Sequence, residues 1–167
     1  MTAPRSSTTS PPTPSPAATP TPAPTTLPDG EARAVAQLLA AEHAAVYAYG
    51  VVGAQCDDAH RELAEQRLQQ HAARRDLLAS RLATAQRTPP PASPAYGLPF
   101  PVDSPAEAGD LAAHVELSVA AANADLVAAA APDRRLEPAR WLAENAVAAR
   151  RWRARSTAFP GMPERSG

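Results

Sequence analysis

The segment Arg87-Thr88-Pro89-Pro90-Pro91-Ala92-Ser93-Pro94-Ala95-Tyr96-Gly97-Leu98-Pro99-Phe100-Pro101-Val102-Asp103 decides how this chain folds. Its six prolines exclude a regular helix, because each removes a backbone N–H and clashes with the preceding turn. Tyr96, Leu98 and Phe100 give it apolar anchors, so it reads as a strap laid along the surface of a folded body. Long stretches of helical periodicity flank it on both sides.

Upstream, Asp29 reads as the N-cap of a first helix over 30–55, with Val35, Leu38, Leu39, Val46, Tyr49, Gly53 and Cys56 on one face. A turn around Cys56-Asp57-Asp58 leads into a second helix over 58–86, whose apolar face is Leu63, Ala64, Leu68, Leu78 and Leu82. Downstream, Ser104-Pro105-Ala106-Glu107 combines an N-cap serine, a proline at the first helical position and a capping-box glutamate. The third helix carries the stripe Leu111, Val115, Val119, Ala122, Leu126 and Ala129. A turn at Pro132-Asp133 precedes a fourth helix over 133–155, with Pro138 as an alternative start. Trp141, Asn145, Ala148 and Trp152 fall near one meridian of it. Short turns make antiparallel neighbours, so the chain contains two helical hairpins joined by one long span. The fold class is all-α: a ferritin-like antiparallel four-helix bundle with one long crossover between helices 2 and 3.

Polar residues interrupt the apolar faces. At about 100° per residue, Glu42 falls at the centre of the first helix's stripe, among Val35, Leu39, Val46 and Gly53, with Tyr49 two turns on. His71 sits mid-stripe in the second helix, and Arg75 follows one turn later. A carboxylate buried this way is costly unless a partner meets it. The expectation is a buried polar cluster of Glu42, His71, Arg75 and Tyr49. Glu116 lies about 100° from its helix's apolar centre and Glu144 roughly 60° from Trp141, so both are expected to turn outward.

Leu39-Ala40-Ala41-Glu42-His43-Ala44-Ala45-Val46-Tyr47-Ala48-Tyr49-Gly50 resembles the first helix of a bacterial ferritin-like domain family of unknown function. His71-Ala72-Ala73-Arg74-Arg75-Asp76 resembles its second-helix motif, and Tyr96 to Pro101 and Phe159-Pro160-Gly161-Met162-Pro163 resemble its crossover and tail. The resemblance covers nearly all of 31–164 and implies the ferritin-like fold without an assigned activity. Di-iron members of the wider superfamily use one Glu from each of two helices and a Glu-x-x-His pair from each of the others. Carried over, the candidate metal ligands are Glu42, His71, Glu116 and Glu144. Leu68 and Val147 stand where a further glutamate and histidine belong. The resemblance therefore implies a degenerate di-iron site. A single iron or manganese on three carboxylates and one imidazole is the alternative.

Composition bounds the rest. Residues 1–28 contain nine prolines, twelve Ser or Thr and, after Met1, only Leu27 as a large apolar group, which predicts a disordered tail ahead of a domain over 29–164. The first 26 residues hold no apolar run of the kind a secretion signal needs, and charges interrupt every later run that could span a membrane. A cytoplasmic location is expected. Cys56 is the only cysteine, which excludes an intrachain disulfide and a cysteine-based zinc site. The net charge of −1 gives no general pull toward nucleic acid, although Arg134, Arg135, Arg140, Arg150, Arg151, Arg153 and Arg155 bias the fourth helix. No nucleophile triad, phosphate loop or dinucleotide fingerprint occurs at usable spacing, which leans against an enzyme. The reading is a structural or interaction module, expected to form a homodimer through its Ala-rich faces and to need no cofactor. A metal-binding protein or metal-dependent oxidoreductase is the alternative.

Overall fold

The computed structural model describes residues 26–155, with side chains through residue 153. Most of the Pro/Ser/Thr-rich tail and the Phe159–Pro163 motif lie outside the described residues. Four long helices, with no strand among the described residues, make up the fold: α1 (Asp29–Gln55), α2 (Asp58–Thr84), α3 (Pro105–Ala129) and α4 (Leu136–Arg155). A 3-10 turn, Pro132–Arg134, links α3 to α4.

Side-chain pairings fix the helix directions. Tyr49 meets Glu116, while Val35 lines a cleft with Leu126, so α1 and α3 are antiparallel. His60 stacks on Trp152 while Arg81 pairs with Glu137, so α2 and α4 are antiparallel as well. The crossover runs the length of the bundle between α2 and α3. Leu98 and Phe100 pack against the core, Val102 is buried, and Tyr96 lies against Tyr47 with ring centroids 5.4 Å apart. The prolines therefore act as expected, holding an extended strap whose apolar side chains face the helices.

Cap chemistry explains most boundaries. Ser104 Oγ accepts the Glu107 backbone N–H, and the Glu107 carboxylate accepts from Asp103 N and Ser104 Oγ. Asp57 caps α2 by accepting from His60 N. The expectation for Asp29 is corrected: Pro28 occupies the cap, and Asp29 is the first helical residue, its carboxylate pairing with Arg87. Leu27, assigned to the tail from sequence, is buried, so packing begins two residues before the helix. The second helix ends at Thr84 rather than Gln86, because Gln86 takes a left-handed backbone with φ of 57°. The fourth begins at Leu136, with Pro138 in its first turn, where its missing N–H costs nothing.

The core is dominated by Leu, Val and Ala from α1 and α3, the two most apolar helices. Each has an 18-residue window of mean hydropathy 1.2, with 44% and 50% of those windows buried inside the bundle. Buried alanines at Ala45, Ala48, Ala108, Ala112 and Ala113 accompany the close packing of α1 and α4 on α3. By contrast, α2 and α4 are not a closely packed pair, and long side chains bridge them. That wider seam holds the arginines described next.

Candidate functional site: a charged cluster inside the bundle

Glu42, His71 and Glu116 come together in the middle of the core, each fully buried. His71 Nδ1 stands 2.6 Å from Glu42 Oε2, and its Nε2 lies 3.4 Å from Glu116 Oε1. Arg67 reaches in from α2 and holds Glu116 bidentately, with Nε and Nη2 each 2.6 Å from a carboxylate oxygen. Tyr49 donates its hydroxyl to Glu116 Oε1 at 2.5 Å and in turn accepts from Trp152 Nε1 at 3.0 Å. Its ring stacks on His71 with centroids 5.2 Å apart. Asn145 Oδ1 accepts from both Arg67 at 2.9 Å and Arg74 at 2.8 Å. Arg74 also bonds Glu144 at the rim, and its guanidinium lies over the Trp141 ring.

The structure brings some of the positions singled out in the sequence together and keeps others apart. Glu42 and His71 meet directly, and Tyr49 joins the cluster by bonding Glu116. Arg75 does not join: its guanidinium pairs with neighbouring Asp76 at the surface. Arg67 and Arg74, about 80° and 100° around the wheel from Arg75, take the interior role instead. Glu116 was expected to turn outward but is buried, because α3 packs against α1 on one side and α4 on the other, which buries a second face holding Glu116 and Asn123. Glu144 does turn outward, with its side chain 55% exposed.

A signal for the missed arginines was present. Arg67, Arg74 and Arg81 recur every seven residues on α2, and Glu137 and Glu144 share that spacing on α4. Seven residues span two turns, so each set forms one stripe, and the two stripes face each other. Arg81 pairs with Glu137 at 2.5 Å and Arg74 with Glu144.

Electrostatics follow from this packing. Burial alone would raise the pKa of Glu116, but bonds from His71 and Arg67 outweigh it and hold the carboxyl below its ordinary value. Burial pulls His71 down, yet contacts with Glu116 and Glu42 win and the net direction is up. Burial, then the Glu116 charge, pushes the Tyr49 phenol far above its usual value, so it stays a neutral donor. Arg74 is lowered, chiefly by burial.

The donor set can be tested against a metal. Three of the four candidate ligands converge, but Arg67 Nη2 sits 2.6 Å from Glu116 Oε2 and 3.4 Å from His71 Nε2. A cation shared by those two ligands would need the place this guanidinium fills. Among the described residues, no group of three or more His, Cys, Asp or Glu side chains is disposed to hold a metal ion. The residues present do not fit a di-iron centre.

Residues 34–164, which contain the entire cluster, match the model of a protein family described as Domain of unknown function (DUF4439). The chain belongs to the DUF4439 family. A similar solved structure is that of a conserved hypothetical protein, rv2844, from Mycobacterium tuberculosis. It shares 36% identity with this DUF4439 chain, covers 75% of it and 96% of its own length, and superposes with a TM-score of 0.72. No curated protein matches the chain.

Proposed function

We propose that this DUF4439 protein is a ferritin-like bundle with a degenerate di-iron site, in which an arginine–carboxylate–imidazole cluster replaces metal chemistry, and that it acts as a structural or interaction module. The observation that carries the reading is the Arg67 guanidinium bound through two 2.6 Å hydrogen bonds to buried Glu116. A permanently charged side chain there neutralises the carboxylate and repels a second cation. The two hairpins and their long proline-rich crossover support the ferritin-like arrangement.

Metal analysis by mass spectrometry tests this, on protein incubated with ferrous iron, manganese or zinc, with Glu42→Ala and His71→Ala alongside. The expected result is no stoichiometric metal in the parent. Stoichiometric metal that both variants lose would overturn the reading.

The convergence of Glu42, His71 and Glu116 favours a second reading: an iron- or manganese-binding protein in which Arg67 swings aside. The same measurement decides between the two. For the interaction role we place a homodimer first, supported by the partly exposed Leu117 beside Ala146 and Ala149 in a groove between α3 and α4. Light scattering should give twice the chain mass, and a strict monomer at high concentration would remove the dimer.

A further inference from the structure

Helix register brings four fully buried polar residues, one from each helix, to the same level of the bundle. Tyr49, Glu116 and Trp152 share one level, since they are hydrogen-bonded in sequence. Moving seven residues along each helix covers two turns, about 10 Å, and returns to the same face. With α3 antiparallel to α1 and α4 parallel to it, that step leads from Tyr49 to Glu42, from Glu116 to Asn123 and from Trp152 to Asn145. On α2, His71 bonds Glu42 and lies midway between Arg67 and Arg74, both of which bond Asn145.

Three of these four side chains each retain one polar atom with no protein partner: Glu42 Oε1, Asn123 Oδ1 and Asn145 Nδ2. All three residues are completely buried. The amide orientations are fixed by chemistry. Asn145 must turn its oxygen to the two arginines, and Asn123 must turn its nitrogen to the Val119 carbonyl, 2.9 Å away. What remains at this level is two acceptors and one donor. Leaving a buried polar group without a partner costs about 1–3 kcal/mol each, and buried groups rarely go unpaired.

We propose that this level is a binding site for one internal water molecule. The water donates to Glu42 Oε1 and Asn123 Oδ1 and accepts from Asn145 Nδ2, the three bonds typical of buried water. An ammonium ion could not accept from Asn145, and a metal cation would face the Asn145 N–H and the two arginine charges. The site completes the polar network across α1, α3 and α4. The proposal rests on the metal-free reading, because a metal would claim Glu42 Oε1.

The test is water–amide cross-relaxation in the full 15N-labelled chain, with the side-chain amide protons of Asn145 assigned. Expected are cross-peaks at the water frequency with the sign of a long-lived bound water. They should be lost in Asn123→Leu and kept in Asn123→Asp, which preserves the acceptor. Absence of the cross-peaks in the parent overturns the site, whether or not the variants fold. Metal content separates the two ideas: a metal-free core without the water signal sinks this proposal alone, whereas a metal-loaded core sinks both.

Discussion

Arg67 and Glu116 form a bidentate ion pair sealed from solvent, the guanidinium residue 6% and the glutamate 0% exposed. Removing water from two charges is expensive, and only their mutual geometry and added hydrogen bonds repay it. Here the repayment is thorough: Tyr49 donates to the same carboxylate, and Asn145 and Gln70 accept from the same guanidinium.

Breaking the pair from one side should therefore be severe. Arg67→Leu leaves Glu116 buried without its main counter-charge and should cost about 3–5 kcal/mol in urea unfolding. Replacing both, as Arg67→Leu with Glu116→Leu, should cost less than the sum of the single changes, because no charge is left stranded. Additive losses would show that the two residues act independently.

Acid and alkali should destabilise the fold through different residues. Glu116 has a folded pKa below the 4.5 of the free group, so its contribution is present above that pH and lost as pH falls through the folded value. His71 has a folded pKa above 6.5, so its contribution is complete below 6.5 and lost as pH rises through the folded value. These two groups together give greatest stability between about 4.5 and 6.5. Chemical unfolding across pH should show this maximum, and His71→Gln should flatten the alkaline limb while leaving the acid limb in place.

The sequence made the scaffold legible because its signals were local. Proline density marked the crossover, the Ser104 to Glu107 box marked the start of α3, and the regular stripe of α1 placed Glu42 and Tyr49 inside. The cluster was only half legible because burial on α2 and α3 is decided by neighbours. A helical wheel centred on leucines puts Arg75 closer to His71 than Arg74. It is the position of α4, across a wide seam, that draws in Arg67 and Arg74. Glu116 was misplaced for the same reason, since a wheel with one assumed core direction cannot show that α3 is covered on two sides.

The end of α2 carries a correctable strain. Gln86 adopts φ of 57° so that Arg87 N can bond the Leu82 carbonyl at 2.8 Å and close the last turn. A side chain in this left-handed region is disfavoured, and glycine is not. Gln86→Gly should stabilise the protein by about 0.5–1 kcal/mol, after the greater freedom it gives the unfolded chain. A loss of stability in urea titration would mean that the Gln86 side chain contributes more than its backbone costs.

Tyr49 links the charged cluster to Trp152, and the two residues should prove coupled. Tyr49→Phe strands the buried Trp152 Nε1–H and takes one donor from Glu116, a cost of about 1–3 kcal/mol. Trp152→Phe removes the indole donor and leaves a smaller ring, and should cost about 2–3 kcal/mol from lost packing and one hydrogen bond. In the double variant no indole N–H is left to strand, so the combined loss should be about 1 kcal/mol smaller than the sum. Unfolding followed by far-UV circular dichroism avoids the change in tryptophan emission. Strict additivity would mean that the Trp152–Tyr49 hydrogen bond contributes nothing in solution, and the relay into Glu116 would then begin at Tyr49.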